Sequence, residues 1–230
     1  MKLKLLKKQD EATDIKSFFF EPEAEVSYKP GQYFYYTLTK LNYPDARGDT
    51  RHFTISSSPT EGKTLRLTTR IREESGFKKT LDELAVGNEI KGEGPGGTFF
   101  MDENTTGNHI FLAGGIGITP YRSMIKFISD KKMSVNISLI YSVKNKEVIA
   151  FKEELDGISQ KNSNFKMRIV DSSIEGRVND KIISEVSKDI TNPTYWISGP
   201  PEMVDAMEGV LITKLKVPVT QIRPEKFTGY

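Results

Sequence analysis

Two hydrophobic rhythms divide this sequence, and their meeting point limits it to a fold of two units. Short β-branched and aromatic runs recur in the first hundred residues, at Ile15 to Phe20, Tyr33 to Thr39, Phe53 to Ser57 and Leu65 to Arg72. Turn formers separate them, including Lys29-Pro30-Gly31 and Glu61-Gly62-Lys63, and Met1 to Lys8 reads as a further strand. Short strands punctuated this way predict a small antiparallel barrel or sandwich. One helix is expected among them, Phe77 to Leu84, because Phe77, Leu81 and Leu84 fall at i, i+4 and i+7.

The rhythm changes at the polar stretch Asp102-Glu103-Asn104-Thr105-Thr106-Gly107-Asn108, the candidate linker. Strands then alternate with helices. Strands are expected at His109 to Ala113, Val135 to Tyr141, Phe165 to Val170 and Thr194 to Ile197. Helices are expected at Pro120 to Ser129, with Thr119 as N-cap and Pro120 at N1, and at Phe151 to Ile158, Asp180 to Val186 and Pro201 to Leu215. Repeated βα units imply a parallel sheet with ligands at its carboxyl ends. The domains expected are therefore residues 1–103, β-rich, and residues 104–230, α/β.

Composition narrows the function. With 33 Lys+Arg against 31 Asp+Glu the net charge is only +2, which argues against a general nucleic-acid binder. There is no cysteine, so thiolate zinc and Cys-ligated iron–sulfur sites are excluded, and two histidines leave no His-rich metal site. Any cluster in an electron path must sit on another chain. No apolar run approaches the roughly 20 residues of a bilayer span, and the N-terminus lacks the apolar core of a signal peptide. The expectation is a cytoplasmic protein without membrane insertion.

Two segments of the second half carry ligand chemistry. His109-Ile-Phe-Leu-Ala-Gly114-Gly115-Ile-Gly117-Ile-Thr119-Pro120 is a strand entering a glycine-rich turn and a helix. Glycine lets the backbone approach a pyrophosphate, and a helix N-terminus offers it N–H groups. The GxGxxG fingerprint is not met, since Pro120 stands where its last Gly would fall. Tyr195-Trp196-Ile197-Ser198-Gly199-Pro200-Pro201 is a second strand-to-helix turn, in which Ser198 is expected to aim its hydroxyl into the same crevice. The glycine turn alone reads equally well as a tight connection that binds nothing, and Ser198 alone as a helix N-cap; together the two turns favour a shared ligand crevice.

In the first half, Arg51-His52-Phe53-Thr54 puts a cation, an aromatic and a hydroxyl within four residues. A guanidinium can grip phosphate, an aromatic can lie against a flavin ring, and a hydroxyl can bond the ring's reactive nitrogen. Strand alternation turns Arg51 and Phe53 one way and Thr54 the other, so Thr54 needs a strand-edge site to join them. The ordinary alternatives are a surface ion pair for Arg51 and a core role for Phe53.

The ordered set Pro30-Gly31-Gln32, Arg51-x-Phe53-Thr54-x-x-Ser57, Gly94-Pro95-x-Gly97-x-Phe99, Gly114-Gly115-x-Gly117-x-x-Pro120, Ser198-Gly199-Pro200 and Glu225-x-Phe227 resembles the ferredoxin–NADP⁺ reductase superfamily over essentially the whole chain. The resemblance implies an N-terminal Greek-key flavin barrel and a C-terminal pyridine-nucleotide domain. It implies that Arg51 binds the flavin's phosphates, that Phe53 stacks on one flavin face and that Thr54 approaches N5. Thr69-Arg70-Ile71 would line the phosphate and adenine end, and Gly76-Phe77-Lys78 would set helix N–H groups on the pyrophosphate. The family usually has Ser or Thr where Lys78 stands, so a charge replaces a hydroxyl. Gly114, Gly115, Gly117, Thr119 and Pro120, with Ser142, Ser198, Gly199 and Pro200, would hold the nicotinamide nucleotide. Ser198 stands at a frequent family cysteine. Glu225 matches the family's C-terminal acid, and either Phe227 or Tyr230 would cover the second flavin face.

The activity implied is hydride transfer from NADH or NADPH to bound FAD, with FMN less favoured, then electron release to a separate acceptor protein such as a ferredoxin or an oxygenase. Thr54, Ser198 and Glu225 would form a proton route. Two other readings stay open: a free-flavin reductase, and a flavin-binding electron-transfer subunit or sensor without turnover. The donor is also open, because Lys144 and Lys146 near the end of the second strand of the α/β half stand beside Glu147.

Overall fold

In the computed structural model, which describes residues 1–228, each rhythm becomes one sheet. The first holds β1 (Lys2–Ala12), β2 (Ile15–Pro22), β3 (Tyr33–Thr37), β4 (Thr50–Thr54), β5 (Leu65–Arg70) and β6 (Glu89–Gly96), in the order β4-β3-β6-β1-β2-β5. Its ladders are antiparallel, and β6 returns to lie between β3 and β1 in a Greek-key path. The sheet curls until its two edges meet, but only past the end of β4. There Ile55 bridges to Leu67 and the Ser56 N–H donates to the Arg66 carbonyl at 2.8 Å. Helix α1 (Gly76–Glu83) drives Phe77 and Leu81 into the barrel core against Phe34, Tyr36, Ile55 and Leu67.

The second sheet is parallel, in the order β11-β10-β7-β8-β9. Its strands are β7 (Gly107–Gly114), β8 (Val135–Val143), β9 (Phe165–Asp171), β10 (Thr194–Gly199) and β11 (Ile222–Lys226). Its helices are α2 (Ile118–Asp130), α3 (Lys152–Lys161), α4 (Asp180–Ser187) and α5 (Pro201–Gly209), the last continuing as a π-helical turn over Val210–Lys214. The chain moves outward from β7 to β9 and then crosses to β10 on the other side of β7. The strand order reverses between β7 and β10, which opens a crevice at their carboxyl ends.

Several boundaries differ from the sequence reading, each for a local reason. Helix α2 begins at Ile118 after a 3₁₀ turn over Gly115–Gly117, so Thr119 is not the N-cap and Pro120 is not at N1. The Thr119 hydroxyl donates instead to the Ile116 carbonyl at 3.1 Å. Phe151 precedes α3 in the left-handed region (φ 61°) rather than opening the helix. Strand β4 ends at Thr54, short of Ser57, and Gly107 and Asn108 of the expected linker already belong to β7. Two strands carried no clear signal. β6 has three glycines and a proline, which lets Phe34 pack directly over Gly92 and Gly94. β11 is a proline-containing edge strand that buries only Ile222.

One apolar cluster crosses between the sheets: Ile15, Phe99 and Met101 of the first half pack with Phe111, Tyr121 and Trp196 of the second. A polar clasp lies beside it. Arg122 of α2 makes a bidentate pair with Glu61, bonds Glu154 through Nε (3.0 Å) and Nη2 (2.5 Å), and donates to the Ser56 carbonyl at 2.9 Å. Ser123 donates to the Ser57 carbonyl at 2.6 Å. These contacts fix α2 against the segment that follows β4.

Candidate active site

Because the barrel closes only beyond Thr54, residues 50–54 form a free strand edge. A cleft runs along that edge. Arg51, Phe53 and Thr54 of β4 wall one bank and Thr68 and Thr69 of β5 the other; Lys78, Ile116, Thr119, Glu225 and Phe227 also line it. The strand-edge position that Thr54 requires is therefore present, and Thr54 shares the cleft with Glu225. Phe53 is half-buried, with its ring 5.9 Å from Phe77 and 6.1 Å from Tyr36. A second cleft, lined by Arg70, Arg72, Gly114, Gly115, Pro200, Pro201 and Glu202, opens at the carboxyl ends of β7 and β10. The two clefts share Ile116, Phe227 and Thr228.

The two turns of the second cleft interlock. A Cβ on Gly117 would lie 2.2 Å from the Ser198 carbonyl oxygen, so only glycine lets the turns close. Gly199 likewise lies against the backbone of Gly114. Register pairs Ser198 with Glu225, and the Phe227 N–H donates to the Gly199 carbonyl at 2.9 Å, which brings the C-terminal segment across the mouth of both clefts. Burial pushes the Glu225 carboxyl up from its ordinary range.

Not every expected residue reaches a cleft wall. Ser198 is fully buried beneath the Gly117 turn, its hydroxyl without a hydrogen-bond partner among the described residues, instead of lying in the crevice. Ile71 packs against the barrel core. Gly76 and Phe77 are buried, Gly76 under the carbonyls of Tyr43 and Pro44. Gly117, Ser198 and Gly199 close the turns, Pro120 lies in α2 and Ser142 in β8, and none of the five lines either cleft. Tyr230 lies outside the described residues.

The largest departure is at Arg51. Its guanidinium bonds Asp45 at 2.5 Å and the carbonyls of Arg47, Gly48 and Thr50 at 2.6, 3.0 and 2.8 Å. The Phe77 N–H donates to the same Asp45 carboxylate at 2.9 Å, and the Lys78 N–H to the Ser75 hydroxyl at 3.3 Å. The Arg51 guanidinium and the Phe77 and Lys78 N–H groups, assigned from sequence to the flavin's phosphates, thus also bond within the chain. Cleft residues that sequence reasoning missed include Tyr33, Arg47, His52, Thr68, Arg72 and Ile116. Arg47 lies in Asp45-Ala46-Arg47-Gly48, which reads as a surface turn, and only its distance of four residues from Arg51 hinted at more.

The cleft fits a flavin nucleotide: an open strand edge lined by the hydroxyl residues Thr54, Thr68 and Thr69 and by the cations Arg47, Arg51 and Lys78. Among the described residues no group of His, Asp or Glu is arranged to hold a metal ion, and no helix is long and apolar enough to cross a membrane.

Fold and clefts define a two-domain oxidoreductase that binds a flavin and a pyridine nucleotide. Comparison with known proteins agrees: residues 2–101 match the oxidoreductase FAD-binding domain and residues 111–209 the oxidoreductase NAD-binding domain. The chain belongs to the ferredoxin–NADP⁺ reductase superfamily. It is 27% identical to flavohemoprotein A of Dictyostelium discoideum over 96% of its own length and 58% of that protein. It is 29% identical to the glycine betaine monooxygenase reductase subunit of Chromohalobacter salexigens over 70% of its length and 43% of that protein. The chain thus spans about half the length of these relatives. In fold it resembles the FAD/NAD-binding domain of Vibrio cholerae nitric oxide dioxygenase (TM-score 0.84, 20% identity, 98% of both chains). It also resembles ferredoxin–NADP⁺ reductase of Plasmodium falciparum (TM-score 0.81, 19% identity, 98% and 95%). The chain thus carries the FAD-binding and NAD-binding domains of a flavin-dependent oxidoreductase.

Proposed function

We propose that this reductase passes electrons from NAD(P)H through bound FAD to a separate redox protein, the reductase part of a longer electron path. The observation that supports the reading is the shared wall of the two clefts at Ile116 and Phe227, across which a nucleotide at the β7 and β10 turns would meet the flavin edge. Bound FAD would supply the hydride-accepting ring. The chain's own residues position and tune it. Thr54 presents a hydroxyl at the end of a free strand edge, and Glu225 sits on the same wall with a carboxyl that holds its proton to higher pH than an exposed one. Together they are the proposed proton route. Ser198, its register partner on β10, acts by supporting Glu225 and the Gly117 turn. Phe227 covers the shared mouth and must swing aside for a nicotinamide.

The glycine betaine monooxygenase reductase relative, a named reductase subunit, supports a separate acceptor. The test is the visible spectrum of the purified protein, followed by anaerobic NADH and NADPH in parallel. A retained flavin bleached by one nucleotide supports the reading and identifies the donor. A colourless protein moves the reading to a free-flavin reductase, and a yellow one that neither nucleotide bleaches moves it to a subunit or sensor without turnover.

A further inference from the structure

Where the barrel closes beside the flavin cleft, four buried residues form a ring of hydrogen bonds. Ser17 of β2 stands opposite Thr68 of β5 in register, their hydroxyl oxygens 2.7 Å apart. The Thr68 oxygen is also 2.7 Å from that of Ser56, in the segment that follows β4. Arg66 of β5 meets both ends: its Nε donates to the Ser17 hydroxyl at 2.9 Å, and its carbonyl accepts from the Ser56 hydroxyl at 2.9 Å. The Arg66 guanidinium is itself held, bonding Glu11 at 2.5 Å, lying 3.6 Å from Glu154 and resting over the rings of Phe19 and Phe151. Of the four ring members only Thr68 lines either cleft.

The ring runs in one direction. A guanidinium only donates, a carbonyl only accepts, and each hydroxyl has a single hydrogen. Ser56 spends its hydrogen on the Arg66 carbonyl, so in its contact with Thr68 it accepts. Thr68 therefore spends its hydrogen on Ser56, and Ser17, which receives the Arg66 Nε–H, donates to Thr68. Thr68 thus forms part of the flavin cleft wall with its only hydrogen turned to Ser56. A free donor on that wall would matter, because hydrogen bonds to a flavin ring favour its reduced, more electron-rich form.

We propose that Ser56 is a positioning residue for the flavin: it takes the only hydrogen of the Thr68 hydroxyl and so keeps a donor off the β5 bank of the cleft. The proposal rests on the flavin reading above. Arg66 sets the direction of the ring from both ends, and its pairing with Glu11 holds those ends still. The two banks of the cleft then differ in role: Thr54 offers a hydroxyl and Thr68 withholds one. The consequence is a bound flavin that is harder to reduce than it would be beside a released Thr68 hydroxyl.

The test compares two alanine variants of the full chain loaded with FAD, by visible spectrum and by midpoint potential. Ser56→Ala removes the acceptor and releases the Thr68 hydrogen, while the Ser56 N–H still bonds the Arg66 carbonyl at 2.8 Å and keeps the barrel closed. It is expected to shift the flavin band and to raise the potential by about 30 mV, a tenfold gain for reduced FAD in a two-electron couple. Ser17→Ala removes the donor to Thr68 but leaves the Thr68 hydrogen on Ser56, so the parent's spectrum and potential are expected. Each variant loses a buried hydrogen bond, so chemical denaturation of the apoproteins should show similar losses of stability; a role in packing alone would treat the two alike. In a Thr68→Val background no hydroxyl remains to release, and Ser56→Ala should add no shift. Should Ser56→Ala fail to fold, Ser56→Cys, whose sulfur is a weak acceptor, repeats the comparison with the space filled. A Ser56 variant with the parent's spectrum and potential, an equal shift in Ser17→Ala, or a shift that persists beside Thr68→Val would overturn the proposal and leave the flavin reading intact. A parent protein that binds no flavin would overturn both.

Discussion

Ser198 and Glu225 are register partners across the parallel strands β10 and β11, one with a buried hydroxyl lacking a hydrogen-bond partner among the described residues, the other with a carboxyl that burial pushes up. A carboxyl with a raised pKa is disfavoured as the anion, so its contribution to stability is complete at low pH and is lost as pH rises through the folded-state value. Glu225→Gln keeps the shape and removes the charge. The variant should retain flavin, resist heat better than the parent at neutral pH, and reduce its flavin at least about tenfold more slowly. It should also lose an inflection from the pH–rate profile of reduction. Stopped-flow reduction across pH reads this directly, and an unchanged profile would remove Glu225 from the proton route.

The glycines of the nucleotide turn differ in what they require. Gly117 has ordinary helical φ (−60°), but a Cβ there would strike the Ser198 carbonyl at 2.2 Å, backbone against backbone. Gly115 has φ +52° and nothing within 4 Å of a Cβ. Gly117→Ala should therefore cost about 1–3 kcal/mol by overpacking and push the two turns apart, raising KM for the nucleotide. Gly115→Ala should cost about 1–2 kcal/mol through left-handed backbone strain and place a methyl on the cleft wall. Thermal melts with KM measurements separate the two: in Gly115→Ala the turns stay closed, and in Gly117→Ala they cannot.

Much of this was legible in the sequence because the rhythms are physical. Period-two aromatic runs gave the barrel strands, and the strand–glycine–helix segments gave the parallel sheet and its switch point. What escaped was set by distant partners. β6 forms because Phe34 needs the bare surfaces of Gly92 and Gly94, and β11 because β10 offers an edge to a polar segment. Arg51 matched a binding pattern at the right position, yet its guanidinium turns to Asp45, six residues earlier across a loop whose closure no periodicity reports. Ser198 was placed at a strand's end correctly, but whether its hydroxyl meets the crevice depended on how closely Gly117 lies over it.

Lys78 makes flavin binding sensitive to mild alkali. Burial, with repulsion from Arg72, Arg47, Arg70 and Arg51, pushes its ammonium down to about 8. A bound phosphate favours the charged form, so affinity for FAD should be steady below that pH and fall as pH rises through it, by at most about tenfold per unit for one proton. The fold itself responds in the opposite sense: a buried lysine with a lowered pKa costs least when neutral, so the apoprotein should gain stability between pH 8 and the lysine's ordinary range. Riboflavin, without phosphate, should show no such loss of affinity. FAD titrations at several pH values check it; a loss of FAD and riboflavin in parallel would point to the ring site instead of Lys78.

Arg122 should matter to turnover without touching either ligand. Its side chain is 3% exposed, while Glu61 and Glu154 remain 26% and 29% exposed. Burial alone would push the Glu61 carboxyl up, but the hydrogen bonds and charge of Arg122 outweigh it and hold it below the ordinary range. That stability is present at neutral pH and is lost as pH falls through the lowered value. Arg122→Met fills the space but leaves two carboxylates facing each other across the seam. Breaking a buried pair costs roughly 3–5 kcal/mol, and the partial exposure of both acids argues for the lower end. Because the clasp fixes the α2 end of the nucleotide turn to the barrel's open edge, the variant should reduce its flavin more slowly while binding FAD as tightly as the parent. Chemical denaturation at pH 7 and pH 4 tests the first part: the stability gap between parent and variant should narrow at the lower pH. A gap that stays constant would mean that the clasp contributes by packing alone. Flavin titration with stopped-flow reduction tests the second, and a variant weakened in FAD binding and in reduction to the same degree would show that Arg122 supports the barrel rather than the alignment of the two clefts.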